Sequence, residues 1–197
     1  MTEKEIEFFD RISESWDDDE VLSTPDVVAD LLERTGLAES MRVLDLGTGT
    51  GVLVPHLRRI VGREGKIVAM DISKGMLEKA VGKYGHLEGV EFVLQDFEKD
   101  APEGRFDLIY LYCVYPHLHC PEVTLRRLVA DNLNERGRVV IAFPTTHDFV
   151  NRIHGERKAE SDMLPSAPDL ARRLADAGLT ARVVSPANPY VVEIHNS

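Results

Sequence analysis

The chain has 197 residues, of which 43% are hydrophobic and 29% charged, an ordinary globular balance in a length that fits one domain with a substantial core. No apolar run approaches the roughly 18 residues of a membrane span, and the acidic, amphipathic start of the chain lacks the pattern of a secretory signal, so no membrane partner and a cytoplasmic location are expected. The formal net charge of −11, with no Lys/Arg cluster to offset it, argues against a nucleic-acid phosphate backbone as partner and favours a small or cationic one.

Apolar positions at Ile6, Phe9 and Ile12 predict an N-terminal helix, with Thr2 and Glu5 at capping-box spacing. The run Asp17-Asp18-Asp19-Glu20 reads as a solvated loop. A second helix starts at Pro25, with Thr24 as N-cap, and stops at Gly36. Residues 41–46 then form a strand that ends in glycines, followed by a helix over about 52–61. Residues 66–71 are a second strand, and Ser73 caps the next helix, which carries Met76, Leu77, Ala80 and Val81. Strands three and four are 90–94 and 106–111; the fourth is nearly continuous in apolar residues, as a strand buried on both faces requires. Pro121 opens a helix with the stripe Leu125, Leu128, Val129 and Leu133, and 137–143 is the fifth strand. Residues 147–157 look helical with few core positions, and Ser166 caps a helix that Gly178 ends. Strands 180–185 and 190–195 are joined by Pro186-Ala187-Asn188-Pro189, a joint too tight for a parallel crossover, so they pair antiparallel.

Alternating helices and strands predict one α/β domain over 1–197 with a parallel sheet and a terminal antiparallel hairpin. It divides into a helical cap (1–36), a ligand-binding core (41–144), an insert over 145–165 placed as a lid, and a C-terminal helix and hairpin (166–197). Cys113 and Cys120 sit in one short segment and read as free thiols.

Val43-Leu44-Asp45-Leu46-Gly47-Thr48-Gly49-Thr50-Gly51 is the most informative stretch. A strand ends, the chain turns on glycines that admit positive φ and close ligand approach, and a helix N-terminus follows with free N–H groups. Open α/β sheets bind ligands at such turns. The spacing is Gly-x-Gly-x-Gly, not the Gly-x-Gly-x-x-Gly of dinucleotide binders. Asp71 ends the next strand, where a carboxylate can accept both ribose hydroxyls of a nucleoside. Asp96 follows the third strand, where it can accept from an adenine amino group beside Phe97.

With these motifs the chain resembles the class I S-adenosylmethionine (SAM)-dependent methyltransferases from about residue 38 to its end. The resemblance implies a doubly wound, Rossmann-like sheet of seven strands in the order 3-2-1-4-5-7-6, strand 7 antiparallel, with helices on both faces. It implies SAM as cofactor and S-adenosylhomocysteine as product. Asp45, Gly47, Thr48, Gly49 and Gly51 match the first motif, which faces the methionine part of SAM. Asp71 matches the ribose acid, Ile72 and Met76 lie on the adenine rim, and Asp96-Phe97 matches the adenine pair. Tyr112 and Cys113, at the exit of the fourth strand, match positions that touch the methionine end. Asn132–Ile141 resembles the turn into the fifth strand, with Arg136 where a first glycine is common.

Methyl transfer needs an acceptor held in line with the methyl group, so positioning can supply most of the catalysis. His117, where related small-molecule enzymes carry a histidine, is a candidate catalytic group that could orient an acceptor or take its proton. His147, Asn151 and His154 fall at i, i+4 and i+7 on one helix face; with His154 as the second candidate, that helix and the segment around Trp16 are expected to close over the acceptor. His117, His119 and Cys120 lack metal-ligand spacing, so no metal is expected. The leading expectation is a small-molecule acceptor. The alternatives are a protein or RNA methyltransferase, a non-catalytic SAM or nucleotide binder, and an NAD-linked enzyme, which the glycine spacing and the hairpin disfavour. Oligomeric state is open.

Overall fold

The first strand shows how the sequence makes the sheet. In β1 (Arg42–Leu46) the four residues after Arg42 are all buried; Val43 points into one apolar layer and Leu44 and Leu46 into the other, as the two-residue period of a strand requires. The same holds for β4 (Phe106–Tyr112), buried at six of its seven positions. β2 (Lys66–Asp71) and β3 (Val90–Leu94) extend the sheet on one side, and β5 (Leu133–Phe143), β7 (Tyr190–His195) and β6 (Thr180–Pro186) on the other. In the computed structural model, which describes residues 3–16, 25–155 and 163–196, the order is β3-β2-β1-β4-β5-β7-β6. The first five strands run parallel, and β7 is antiparallel to both β5 and β6.

Helices α2 (Pro25–Arg34) and α3 (Val54–Val61) bury Val28, Leu31, Leu32, Leu57 and Val61 against one face. On the other, α5 (Pro121–Arg127) and α7 (Ala167–Asp176) bury Leu125, Leu170 and Leu174. α4 (Lys74–Tyr84) lies over β2 and β3 and buries Met76, Leu77 and Ala80. α1 (Glu3–Ile12) buries none of its residues fully. Both caps predicted among the described residues form: the Ser73 side chain accepts from Met76 N–H, and that of Ser166 from Asp169 N–H. Thr2, Thr24 and the run 17–20 lie outside the described residues. No described helix is long and apolar enough to cross a membrane.

One boundary differs from the sequence pattern. The helix from Pro121 loosens into a π turn over Leu128–Asn132, and Leu133, expected on its stripe, begins β5. The buried Asn132 explains the stop, because its amide donates to the carbonyls of Pro102 (2.7 Å) and Gly104 (2.9 Å). β5 then advances from Leu133 to Arg138 while β4 advances from Phe106 to Leu108. Gly137 sits in this irregularity, and a Cβ there would lie 2.8 Å from the Phe106 carbonyl oxygen. The glycine that pattern alone reads as a strand start is thus fixed by backbone contact.

The helix over 147–157 is α6 (His147–Gly155), and 156–162 lies outside the described residues. Val150 is buried in the main core. Asn151 clamps the backbone of buried Leu164, donating to its carbonyl at 2.9 Å and accepting from its N–H at 2.7 Å.

Gly137→Ala should lower stability by about 1–3 kcal/mol, the usual cost of forcing atoms into filled space, as read from urea unfolding. Asn151→Ala should cost a similar ~1–3 kcal/mol, because it leaves two backbone groups of Leu164 unpaired.

Candidate active site

At the carboxyl edge of the sheet, between β1 and β4, the strand order reverses, which opens a crevice. The register brings the chemistry-bearing residues to that edge: Leu46 pairs with Met70 and Leu111, and Asp71 with Leu94. Gly47 N–H and Thr48 N–H both donate to the Met70 carbonyl, at 2.8 and 3.0 Å, folding the chain back across β2. Gly47 and Gly49 take φ of +69° and +56°, values that favour glycine. At Gly47 there is a second reason, since a Cβ would run into the Val114 side chain.

Asp71 organises the turn. It is only 7% exposed, and its two oxygens accept from Gly49 N–H and Ser73 N–H, both at 2.8 Å. Burial raises its pKa, opposed by those backbone donors. Asp45 lies beneath, 1% exposed. Its Oδ2 accepts from Thr48 Oγ at 2.7 Å, and its Oδ1 has no protein partner. Burial pushes its pKa up to about 7 against the Thr48 bond, with Asp71 adding repulsion. A buried acceptor without a donor is costly, so the site is poised for a donor or cation from outside the chain.

One pocket collects these groups. It is lined by Asp45, Gly47, Thr48, Gly49, Asp71, Ile72, Met76, Asp96, Phe97, Tyr112, Cys113 and His117 among the residues singled out from sequence. Gly51 is not in the lining. It has φ +86°, and a Cβ would meet the Tyr84 ring at 2.9 Å, so its smallness serves packing between the glycine turn and α4. The side chain of His154 lies outside the described residues, and no described side chain of α6 lines the pocket. Asn151, in the middle of the predicted face, binds the Leu164 backbone.

Phe9 and Trp16 line the pocket. Phe9 stacks edge-on against Trp16 (centroids 5.8 Å apart) and against His117 (5.4 Å, interplanar angle 86°). Trp16 Nε1 sits 4.0 Å from where a Gly49 Cβ would be. Cys113 holds φ +59°, a strained backbone for a non-glycine residue, while its N–H donates to Ala142. Burial pushes the Cys113 thiol and the Tyr112 phenol up, so both stay protonated at neutral pH.

Sequence reasoning missed Glu98. Its carboxylate lines the pocket and accepts from the N–H groups of His119 (3.1 Å) and Cys120 (3.3 Å), from Thr124 Oγ (3.2 Å), and it meets the His119 ring at 3.2 Å. It thus caps α5, whose N-cap Cys120 supplies no side-chain bond. Burial pushes its pKa up, but the His119 and Cys120 donors prevail and hold it below the usual carboxylate range. With its partners more than 20 residues away, local spacing held no signal. Among the described residues no cluster could hold a metal ion.

The methyltransferase domain model matches residues 22–184. The chain belongs to the class I SAM-dependent methyltransferase family. A methyltransferase crystal structure from Aquifex aeolicus, described as SAM-dependent, superposes with TM-score 0.71 at 25% identity, covering 94% of this chain and 96% of that one. Protein-L-isoaspartate O-methyltransferase 2 of Archaeoglobus fulgidus is 30% identical over 128 residues, 62% of this chain and 54% of its own. A ubiquinone/menaquinone biosynthesis C-methyltransferase of Pseudomonas entomophila is 37% identical over 84 residues, 40% of this chain and 32% of its own. The chain spans about half the length, or less, of the curated relatives it matches. The names of these two sequence relatives span protein and quinone acceptors, so family membership does not name the acceptor.

The raised pKa of Asp45 has a definite pH consequence. Between about pH 4 and 7 the folded protein holds a proton that the unfolded chain has lost, so this group's contribution to stability falls as pH rises through that window. Wild type should therefore lose about 2–3 kcal/mol relative to Asp45→Asn between pH 5 and pH 8. Urea unfolding of both proteins at the two pH values measures it.

Proposed function

We propose that the chain binds SAM in this pocket and transfers its methyl group to a small acceptor held under α1 beside His117. In this reading Asp71 accepts from the ribose hydroxyls with the lone pairs that Gly49 and Ser73 leave open. Ile72, Met76 and Phe97 hold adenine, with Asp96 accepting from its amino group. Asp45 Oδ1, the buried oxygen without a partner, accepts from the methionine ammonium. When bound, the cofactor supplies a methyl group on a sulfonium, an electrophile that needs no metal. The chain's part is to bind, to exclude water and to align: Tyr112, Cys113 and Val114 wall the methionine end, and His117 orients the acceptor or takes its proton.

The observation that carries the reading is the convergence of the glycine turn, Asp45, Asp71 and Asp96 on one pocket. A compact, uncharged or cationic acceptor is favoured by the aromatic and apolar groups around His117. Lysine and arginine are absent from the described lining, so a carboxylate acceptor, which the archaeal relative's name would suggest, finds no counter-charge there. The net charge of −11 likewise disfavours RNA.

Calorimetry with S-adenosylhomocysteine tests the cofactor half. Wild type should bind at micromolar or tighter, and Asp71→Ala should bind about 10–100-fold more weakly, the size of lost hydrogen bonds to a charged group. Binding of NAD in its place would overturn the assignment.

A further inference from the structure

Helix α1 lies across the pocket with none of its residues fully buried, and polar contacts tie it down on both sides. On one side the Asp10 carboxylate caps α4 from outside that helix. Asp10 Oδ1 accepts from Ser73 Oγ at 2.6 Å and from Gly75 N–H at 2.9 Å. A few residues on, Ser13 is buried and Lys79 reaches Glu14 at 2.6 Å. On the other side Glu5 lies 3.8 Å from His119, whose ring also meets Glu98. Between the two sides Phe9 reaches into the pocket, against His117 and Trp16.

Two features make the Asp10 contact a built seat. A Cβ at Gly75 would lie 2.9 Å from Ser13 Oγ and 3.1 Å from the Asp10 carbonyl oxygen, so only glycine lets the two helices approach this closely. Ser73, 1% exposed, serves two carboxylates: its N–H goes to Asp71 and its hydroxyl to Asp10. The hydrogen bonds therefore run without a break from the glycine turn, through Asp71 and Ser73, to α1.

We propose that α1 is a lid over the cofactor and that Asp10 is the positioning residue that latches it, so that cofactor exchange requires the Asp10–Ser73–Gly75 contact to break. This rests on the SAM reading of the pocket. It makes product release a step that Asp10 governs. Asp10 itself is not among the residues that line the pocket.

The test compares wild type with Asp10→Ala, Asp10→Asn and Gly75→Ala. Gly75→Ala disturbs the seat without removing a hydrogen-bonding group, and Asn can keep both acceptor bonds. Trp16, the one tryptophan, reports from the pocket wall. Two quantities are read: hydrogen–deuterium exchange over residues 3–12 without ligand, and the rate of S-adenosylhomocysteine release from Trp16 emission in stopped flow. Asp10→Ala and Gly75→Ala should each speed both by at least about fivefold, the size of a lost helix cap, with Asp10→Asn close to wild type. Unchanged exchange in Asp10→Ala would show that Asp10 does not hold α1. Faster exchange with unchanged release would show that α1 is not on the exit path. Wild type that binds no S-adenosylhomocysteine would sink the cofactor reading, and the lid role with it; normal binding with release insensitive to Asp10 sinks the latch alone.

Discussion

The pocket depends on one buried carboxylate. Asp71 is the last residue of β2, and its two oxygens take the N–H groups of Gly49 and Ser73. The first bond holds the glycine turn after β1 against the neighbouring strand; the second sets the chain direction into α4. Without a strong acceptor at this point, two backbone N–H groups would have to find alternative partners in a place largely closed to water. The cost is electrostatic. A second carboxylate, Asp45, lies close enough to feel Asp71, and burial raises both pKa values. Two such groups beneath a glycine turn make a desolvated acidic floor, held either by a proton or by a donor from a bound ligand.

The sheet was legible because its pattern is local. Strands such as 43–46 and 106–111 are short runs of apolar residues broken only by Asp45 and Asp107, and the Pro186–Pro189 joint forces the last pair to be antiparallel. The positions of Asp45, Asp71 and Asp96 followed from strand ends, since whatever ends a parallel strand lies on the same edge of the sheet. Boundaries failed where a side chain far along the chain decides them. Leu133 continues a helical stripe in sequence, but Asn132 turns to the 102–104 segment and the helix stops. Gly51 reads as part of the ligand motif, yet Tyr84 explains it.

The roof was half legible. Trp16 could be suspected as a lone tryptophan beside the first helix, whereas Phe9 looked like an ordinary core position in an amphipathic pattern. Period alone cannot say whether an apolar stripe faces a core or a cavity. In α6, polar residues at helical spacing suggested a face turned to substrate, and one of them has another use. Asn151 is instead consumed by the two backbone groups of Leu164, a contact across 13 residues that no periodicity reveals.

Glu98 has a consequence for how this site can change. It grips the start of α5 chiefly through main-chain N–H groups of residues 119 and 120, and Arg127 returns the hold by donating to the Phe97 and Glu98 carbonyls. Those contacts are indifferent to which side chain occupies position 120. The stretch that follows the pocket residues His117 and Leu118 can therefore accumulate side-chain substitutions while its backbone stays anchored, so the surface there is free to diverge without loosening the turn that holds the pocket.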